Sequence, residues 1–219
     1  MQLLNLSMSF KIQYMTALVY CTSNKIPNDN AKKRSHGICD KFKAGDKKYI
    51  DRLGQHIMTN PTYATIKTNF ENATLIPIPR SAPLKPQTIW PAKIIAEQFI
   101  EMGLGIEIIE LLKRKTVVPK SSNFRLAADR PGIDALYYSL QVDRAMLNTK
   151  KIILIDDVFT LGRTAVSCVK RLKDIYPDIE IQVFSAMRTR GGLSSFSDIH
   201  DPKVDILYYK GGDKVILPD

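Results

Sequence analysis

Two adjacent carboxylates are the residues of this 219-residue chain whose type and position most clearly suggest chemistry. Asp156 and Asp157 follow the continuous apolar run 152–155, which is typical of a strand buried on both faces. Paired carboxylates at a strand end can accept hydrogen bonds from vicinal hydroxyl groups. The pattern therefore predicts a site for a sugar diol, against the alternative of two solvated acids in an ordinary strand–turn–helix.

A short loop follows these acids and is predicted to open a helix at Gly162–Tyr176. The loop, Thr160-Leu161-Gly162-Arg163-Thr164, offers two hydroxyl groups, backbone N–H groups and a helix N-terminus. Such groups favour a phosphate, and glycine lets the backbone approach it closely. A diol site beside a phosphate site describes a 5-phosphoribosyl group, so the two segments together predict a ligand of that kind.

The elements that must position these residues alternate between strand and helix after residue 73. Predicted strands are Lys11–Thr22, Thr74–Ile78, Ile106–Leu112, Lys151–Ile155, Ile179–Met187, Val204–Tyr208 and Val215–Leu217. Predicted helices are Asp46–Met58, Thr88–Met102, a short one from Asp129 or Arg130 to about Leu140, and Gly162–Tyr176. The polar segment Ser23–Gly45 is predicted to be mainly a loop. This order predicts an α/β fold with a parallel sheet and helices on both faces, whose ligands bind at the carboxyl ends of the strands.

Composition excludes several other classes of protein. The chain is 44% hydrophobic and 25% charged, as globular domains are. Three widely spaced cysteines (Cys21, Cys39 and Cys168) exclude a disulfide framework or a four-cysteine zinc ribbon, and a site built on Cys21, His36 and Cys39 would lack a fourth ligand. No apolar stretch approaches a membrane span, so we expect a cytoplasmic protein without a membrane partner.

Net charge is +10, and +7 of it lies in residues 1–70. An excess of basic over acidic residues favours anionic partners. The cluster Lys32-Lys33-Arg34 is therefore a candidate contact for nucleic acid, and the alternative is a solvated basic loop. We predict two regions: a basic N-terminal extension or hood over residues 1–72, and a core with C-terminal hood elements over residues 73–219.

The segment 151–164 resembles the phosphoribosyl-pyrophosphate (PRPP) motif of type I phosphoribosyltransferases. The apolar run, both acids, Val158, Thr160, Gly162 and Thr164 match, whereas Leu161 stands where the family often has threonine. The resemblance covers roughly residues 73–187. It implies the type I phosphoribosyltransferase fold, a twisted parallel sheet with a small hood. It also implies that Asp156 and Asp157 bind the ribose hydroxyls, and that residues Thr160, Leu161, Gly162, Arg163 and Thr164 bind the 5-phosphate.

A second point of resemblance is Leu75-Ile-Pro-Ile-Pro-Arg-Ser81, which is similar to the ComF-like branch of the family. In the family the loop after the first core strand binds pyrophosphate. The resemblance therefore makes Arg80, Ser81 and Lys85 candidates for that role. A cation there would attract the negative charge of pyrophosphate. The alternative is a proline-rich strand exit with solvated charges.

A third point of resemblance is the long polar stretch 112–131, which stands where the family has a loop that closes over PRPP. It holds six cations: Lys113, Arg114, Lys115, Lys120, Arg125 and Arg130. A basic lid would neutralise departing pyrophosphate and exclude water, with Lys115 or Lys120 as the closing cation. The alternative is a solvated charge run.

The chain departs from the pattern of the family at two points, and both narrow the predicted function. The zinc ribbon common in ComF-type proteins is absent, and Thr160 stands where purine-salvage members usually carry an acid. We therefore expect a phosphoribosyltransferase that binds PRPP with Mg²⁺, has an unidentified acceptor and allows a homodimer. A non-catalytic sensor of PRPP or a nucleoside 5-phosphate, or a nucleic-acid-linked effector in competence or defence, is the alternative. Segment 188–192 is a candidate for the acceptor hood.

Overall fold

Nine strands and six α-helices make up the part of the chain that the structure, a computed structural model, describes: residues 9–27, 29–120, 124 and 126–218. The strands are β1 (Phe10–Cys21), β2 (Thr74–Pro77), β3 (Glu107–Ile108), β4 (Leu112–Arg114), β5 (Leu140–Val142), β6 (Lys151–Phe159), β7 (Glu180–Arg190), β8 (His200–Tyr209) and β9 (Val215–Ile216). The helices are α1 (Asn30–Lys43), α2 (Lys47–Thr59), α3 (Ala64–Phe70), α4 (Pro91–Glu101), α5 (Ile133–Tyr138) and α6 (Arg163–Lys173).

Seven of these strands form one twisted sheet in the order β3-β2-β6-β7-β1-β8-β9. The first five are parallel to their neighbours, while β8 and β9 are antiparallel. The strands β4 and β5 form a separate antiparallel pair. The carboxyl ends of β2, β6, β7 and β1 therefore meet at one edge of the sheet.

The sheet buries both of its faces because successive side chains of a strand point to opposite sides. Ile153 and Ile155 of β6 pack into a core with α1 to α4. Ile152 and Leu154, one residue out of step, pack into a second core with α5 and α6. This arrangement confirms the predicted fold class, an α/β sheet of mostly parallel strands with helices on both faces.

The predicted strand near the N-terminus lies inside this sheet. β1 pairs in parallel with β7 and antiparallel with β8, and its Met15 shares a core with Leu75 and Phe184. The boundary at residue 72 stays a prediction, but part of residues 1–72 contributes a sheet strand rather than a hood.

Four other expectations differ in detail. Ser23–Gly45 contains the 14-residue helix α1, which the Asp29 side chain caps by accepting from Lys32 N. The strand expected at Ile106–Leu112 is interrupted, because β4 leaves the main sheet to pair with β5. Helix α4 begins at Pro91 rather than near Thr88, since the residue before a proline is held extended.

The fourth difference concerns the strand that carries the paired acids. β6 continues to Phe159, so Asp156 and Asp157 lie within the strand instead of following it. None of the helices in the described ranges combines the length and apolarity that a membrane span requires.

Candidate functional site

The paired acids lie near the carboxyl end of β6, between β2 and β7. Asp156 stands opposite Ser185 of β7, and the N–H of Ile78 donates to the carbonyl of Ile155 just before it. Each acid also accepts from the backbone of the next residue, Asp156 Oδ1 from Asp157 N at 3.0 Å and Asp157 Oδ1 from Val158 N at 2.9 Å. These bonds hold both carboxyl groups in fixed orientations at the sheet edge.

The two carboxyl groups differ in their electrostatics. Asp156 is half-buried. This burial, and next the charge of Asp157 and a hydrogen bond between the two side chains, raises the pKa of Asp156 well above its usual range. The protonated form of Asp156 is therefore favoured relative to a solvated aspartate, and that form offers an O–H donor beside the acceptor oxygens of the pair.

Because a raised pKa of a buried acid is a cost to folding at neutral pH, Asp156→Asn should stabilise the protein. The stability of the wild type falls as pH rises from the unfolded pKa of about 4 through the higher folded pKa. We expect the variant to melt at least about 2 °C higher at pH 8, with the gap closing towards pH 4. Thermal melts of both proteins across that range check this, with the exposed Asp178→Asn as control; a lower melting temperature at pH 8 would contradict it.

The loop after β6 makes a tight turn into α6. Gly162 is the residue just before the helix and has a φ of +71°, in the left-handed region. It has no side chain that could cap the helix, so the first-turn N–H groups of α6 are left to face the loop. A partial positive charge at this end of the helix favours an anion.

A narrow groove of about 30 Å³ runs along this loop. It is large enough for about two water-sized groups. Seven of the ten predicted binding residues line it, namely Asp156, Val158, Thr160, Leu161, Gly162, Arg163 and Thr164. The structure therefore brings one of the acids and the whole loop Thr160–Thr164 together in one groove.

Arg130 also lines this groove, although the sequence places it in the candidate lid. Its carbonyl accepts from Arg163 Nη1 at 3.1 Å, which ties the segment before α5 to the start of α6. The buried Nε of Arg130 has no hydrogen-bond partner among the described residues, which is costly for an N–H group. Arg130 therefore brings a cation to the lining of the groove.

The predicted pyrophosphate residues lie in the neighbouring loop after β2. Arg80 donates to the Ile89 carbonyl and its own carbonyl accepts from Arg114 Nε at 2.9 Å. The Ser81 carbonyl accepts from Val118 N at 2.8 Å. These bonds join this loop to the start of the candidate lid. Neither Arg80 nor Ser81 lines the groove beside α6.

The candidate lid cations have different surroundings. Lys113 forms an ion pair with Asp143 at 2.5 Å. Lys115 and Lys120 are exposed and do not line the groove. Their roles in closing over a ligand stay predictions, and Arg125 lies outside the described residues.

Arg114 is a structural residue rather than a lid cation. Its side chain is buried, and besides Arg80 it donates to the Leu136 carbonyl and to Ser139 Oγ. Burial lowers the pKa of its guanidinium group. The arginine therefore fastens β4 to the loop after β2 and to α5.

Helix α1 brings a cation to the acids that the sequence did not reveal. The helix packs on β1, where His36 Nε2 lies 2.8 Å from the Cys21 carbonyl, and it also contacts β6. Burial disfavours the charge of Lys43, the last residue of the helix, but Cys39, Tyr20 and Asp157 outweigh this effect and raise the pKa of the amine. Asp157 is therefore one of the groups that favour the charged form of Lys43.

Other candidates have structural surroundings. Arg188, from the segment considered for a hood, is buried and donates to Thr16 Oγ1 at 2.9 Å and to Asp201. Cys21 and Cys39 are buried free thiols. Within the described ranges, no group of three or more His, Cys, Asp or Glu side chains could hold a metal ion.

Comparison with known proteins finds a distant likeness among solved structures. No protein-family model and no curated protein matches the chain. Among solved structures, it is similar to a hypoxanthine phosphoribosyltransferase from Staphylococcus aureus, with a TM-score of 0.31 and 8% identity. The match covers 71% of this chain and 70% of that one. A likeness of this size supports no conclusion on its own.

Proposed function

We propose that this protein binds Mg²⁺·PRPP and transfers its 5-phosphoribosyl group to an acceptor, with release of pyrophosphate. The observation that carries the proposal is the single groove in which a paired carboxylate and an uncapped helix start lie together. The first is suited to a diol and the second to a phosphate. Both lie at the carboxyl edge of a parallel sheet, where ligands of such folds bind.

In this proposal the two acids hold the ribose. Asp156 and Asp157 accept hydrogen bonds from the ribose hydroxyl groups, and the protonated form of Asp156, which burial favours, can also donate one. The loop from Thr160 to Thr164 holds the 5-phosphate with backbone N–H and hydroxyl groups, and Arg130 adds a cation through its unpartnered Nε. These contacts would fix the sugar while C1 remains open to a nucleophile.

The departing pyrophosphate would lie towards the loop after β2. Arg80 and Ser81 are braced there by bonds to Arg114 and Val118, so the loop has a defined shape before a ligand arrives. Mg²⁺ enters with PRPP, since pyrophosphate oxygens are ligands that it prefers. A cation such as Lys115 or Lys120 would approach by closure of the exposed segment after β4, and would stabilise the leaving charge.

A regulator that binds PRPP or a nucleotide without transferring it is the second candidate. One observation favours it: Thr160 lines the groove at the position where related purine-salvage enzymes carry a base. A binding protein needs the diol and phosphate contacts but no base for an acceptor. The two candidates therefore share a binding site and differ in turnover.

Titration calorimetry with PRPP plus Mg²⁺, ribose 5-phosphate and AMP tests the shared site. We expect PRPP to bind with a micromolar Kd that depends on Mg²⁺. Pyrophosphate release in the presence of nucleobases and other nitrogen nucleophiles then separates an enzyme from a sensor. If none of the three ligands binds, both candidate functions are wrong.

A further inference from the structure

A second cavity lies between α1, α2 and the start of β8, and it has a volume of about 360 Å³. This volume is within the range of pockets that take small molecules. The cavity, called here the α1–α2 cleft, shares no lining residue with the groove beside α6. Its ligand is therefore independent of the phosphoribosyl site, and the inference below does not rest on the proposed function.

The charged residues that line this cleft are all of one sign. Arg34, Lys41 and Arg52 line it together with His56 and His200, and none of the described lining residues is acidic. Lys41 is balanced in part by Asp46 at 3.3 Å. Neither Arg34 nor Arg52 forms an ion pair with any residue in the described ranges. Two arginines without counter-charges on one cavity favour an anion.

The floor of the cleft is apolar and its wall is aromatic. Leu18, Leu53 and Ile199 are buried beneath it. Tyr49 stands at the wall, with Lys41 Nζ and the guanidinium carbon of Arg52 each 5.6 Å from its ring centroid. A flat ring could therefore pack on the floor and against Tyr49 while a charged group meets the cations.

The two histidines add a polar end to the cleft. Their rings lie 4.8 Å apart, and Tyr63 Oη is 3.0 Å from Nδ1 of His200. Burial is the main cause that lowers the pKa of His200; the charge of Asp198 opposes it, and smaller effects of His56 and Arg34 add to it.

A glycine in the middle of α1 lies on the wall of this cleft. Gly37 lines the cavity, and a Cβ built on it would meet no atom within 4 Å. Glycine inside a helix costs about 0.5–1 kcal/mol relative to alanine. Packing therefore gives no reason for glycine here, whereas space for a ligand does.

We infer that the α1–α2 cleft is a second binding site, for a small anion that carries a flat ring, of the size and chemistry of a nucleoside monophosphate. The ring lies on the apolar floor beside Tyr49. The phosphate contacts Arg34 and Arg52. A ligand of this class has both parts that the cleft offers, and a bare phosphate would leave the apolar floor uncovered.

Titration calorimetry at low salt with AMP, GMP, CMP and UMP tests this inference. We expect at least one nucleotide to bind, about threefold more weakly to Arg34→Ala or Arg52→Ala and about tenfold more weakly to the double variant. Lys33→Ala and Lys48→Ala are matched controls. Each removes an exposed positive charge from a residue that neighbours a lining residue in the sequence but does not itself line the cleft. Their affinities should equal that of the wild type.

A variant that fills the cleft with a side chain tests the inference without removing a charge. Gly37→Leu should fold as the wild type does, as thermal melts will show, and should abolish this binding. Asp157→Asn should leave it unchanged, which separates the cleft from the phosphoribosyl site. The inference is overturned if no nucleotide binds at millimolar concentration, or if the cleft variants bind as the wild type does. It is also overturned if only single-stranded nucleic acid binds, and Lys33 contributes as much as Arg34.

Discussion

Asp157→Asn should weaken PRPP binding by about tenfold or more and leave the protein folded. A hydrogen bond to a charged group contributes about 1.5–3 kcal/mol, and the change removes the charge that Asp157 offers to the ribose diol. Folding should survive because asparagine keeps the shape of the side chain and an oxygen for the bond from Val158 N. The measurement is calorimetric titration with PRPP and Mg²⁺, alongside a thermal melt.

The control for this prediction is Asp178→Asn, an exposed acid just before β7, at the opposite edge of the sheet. It removes the same charge from the protein, so it separates the local contact from the overall electrostatic field. PRPP affinity within twofold of the wild type is expected for the control. Wild-type affinity in Asp157→Asn itself would remove the acids from the proposed site.

Much of this site could be predicted because it is local in sequence. The apolar run of β6, the two acids and the loop into α6 fall within fifteen consecutive residues, and burial and turn chemistry at short range decide their conformation. The fold class followed for a similar reason, since strands and helices alternate from residue 73 onward. Within this segment two bounds were wrong: β6 extends beyond its apolar part because it pairs with β7, and α6 runs over Arg163–Lys173 instead of Gly162–Tyr176.

The rest of the site depends on contacts between distant segments. Helix α1 was not predicted because its buried residues, Ser35, Cys39 and Phe42, include only one large apolar side chain. Its packing on the sheet supplies the burial that the sequence pattern does not display. Lys43 near Asp157, and the α1–α2 cleft, both follow from that packing and have no signal in the sequence alone.

Two arginines of the candidate lid also have roles that depend on contacts between distant segments. Arg114 and Arg130 occur in one basic stretch and look equivalent in the sequence. In the structure the first is buried among carbonyl groups, while the second lines the groove beside α6. Which charge is structural and which faces a ligand depends on where β4 and α5 pack, and this is decided by residues far away in the chain.

Gly162→Ala should destabilise the protein by about 2–3 kcal/mol, although it adds only a single methyl group. An L-residue in the left-handed region costs about 1–2 kcal/mol. The new Cβ would also lie 2.7 Å from Cδ1 of Leu207 and 3.2 Å from Cγ1 of Val215. Since Leu207 is fully buried, the loop must lift away from β8 and β9 to relieve these contacts.

Three glycine variants separate the causes of this effect. Gly37→Ala has neither strain nor a contact and should raise stability by about 0.5–1 kcal/mol, as alanine does inside a helix. Gly212→Ala has a φ of +54° but meets no atom within 4 Å, so it should show the backbone strain alone. Gly162→Ala combines strain with contacts and should melt about 5–10 °C below the wild type.

The same lifting of the loop should weaken PRPP binding in Gly162→Ala, even at temperatures where the variant is fully folded. The first-turn N–H groups of α6 would no longer face the groove at the distance that a phosphate requires, because the glycine lets the turn lie against β8 and β9. Calorimetry at 15 °C and thermal melts measure the two effects separately. A melting temperature within 2 °C of the wild type would show that the loop can take a side chain here, and that this glycine is not what shapes the phosphate site.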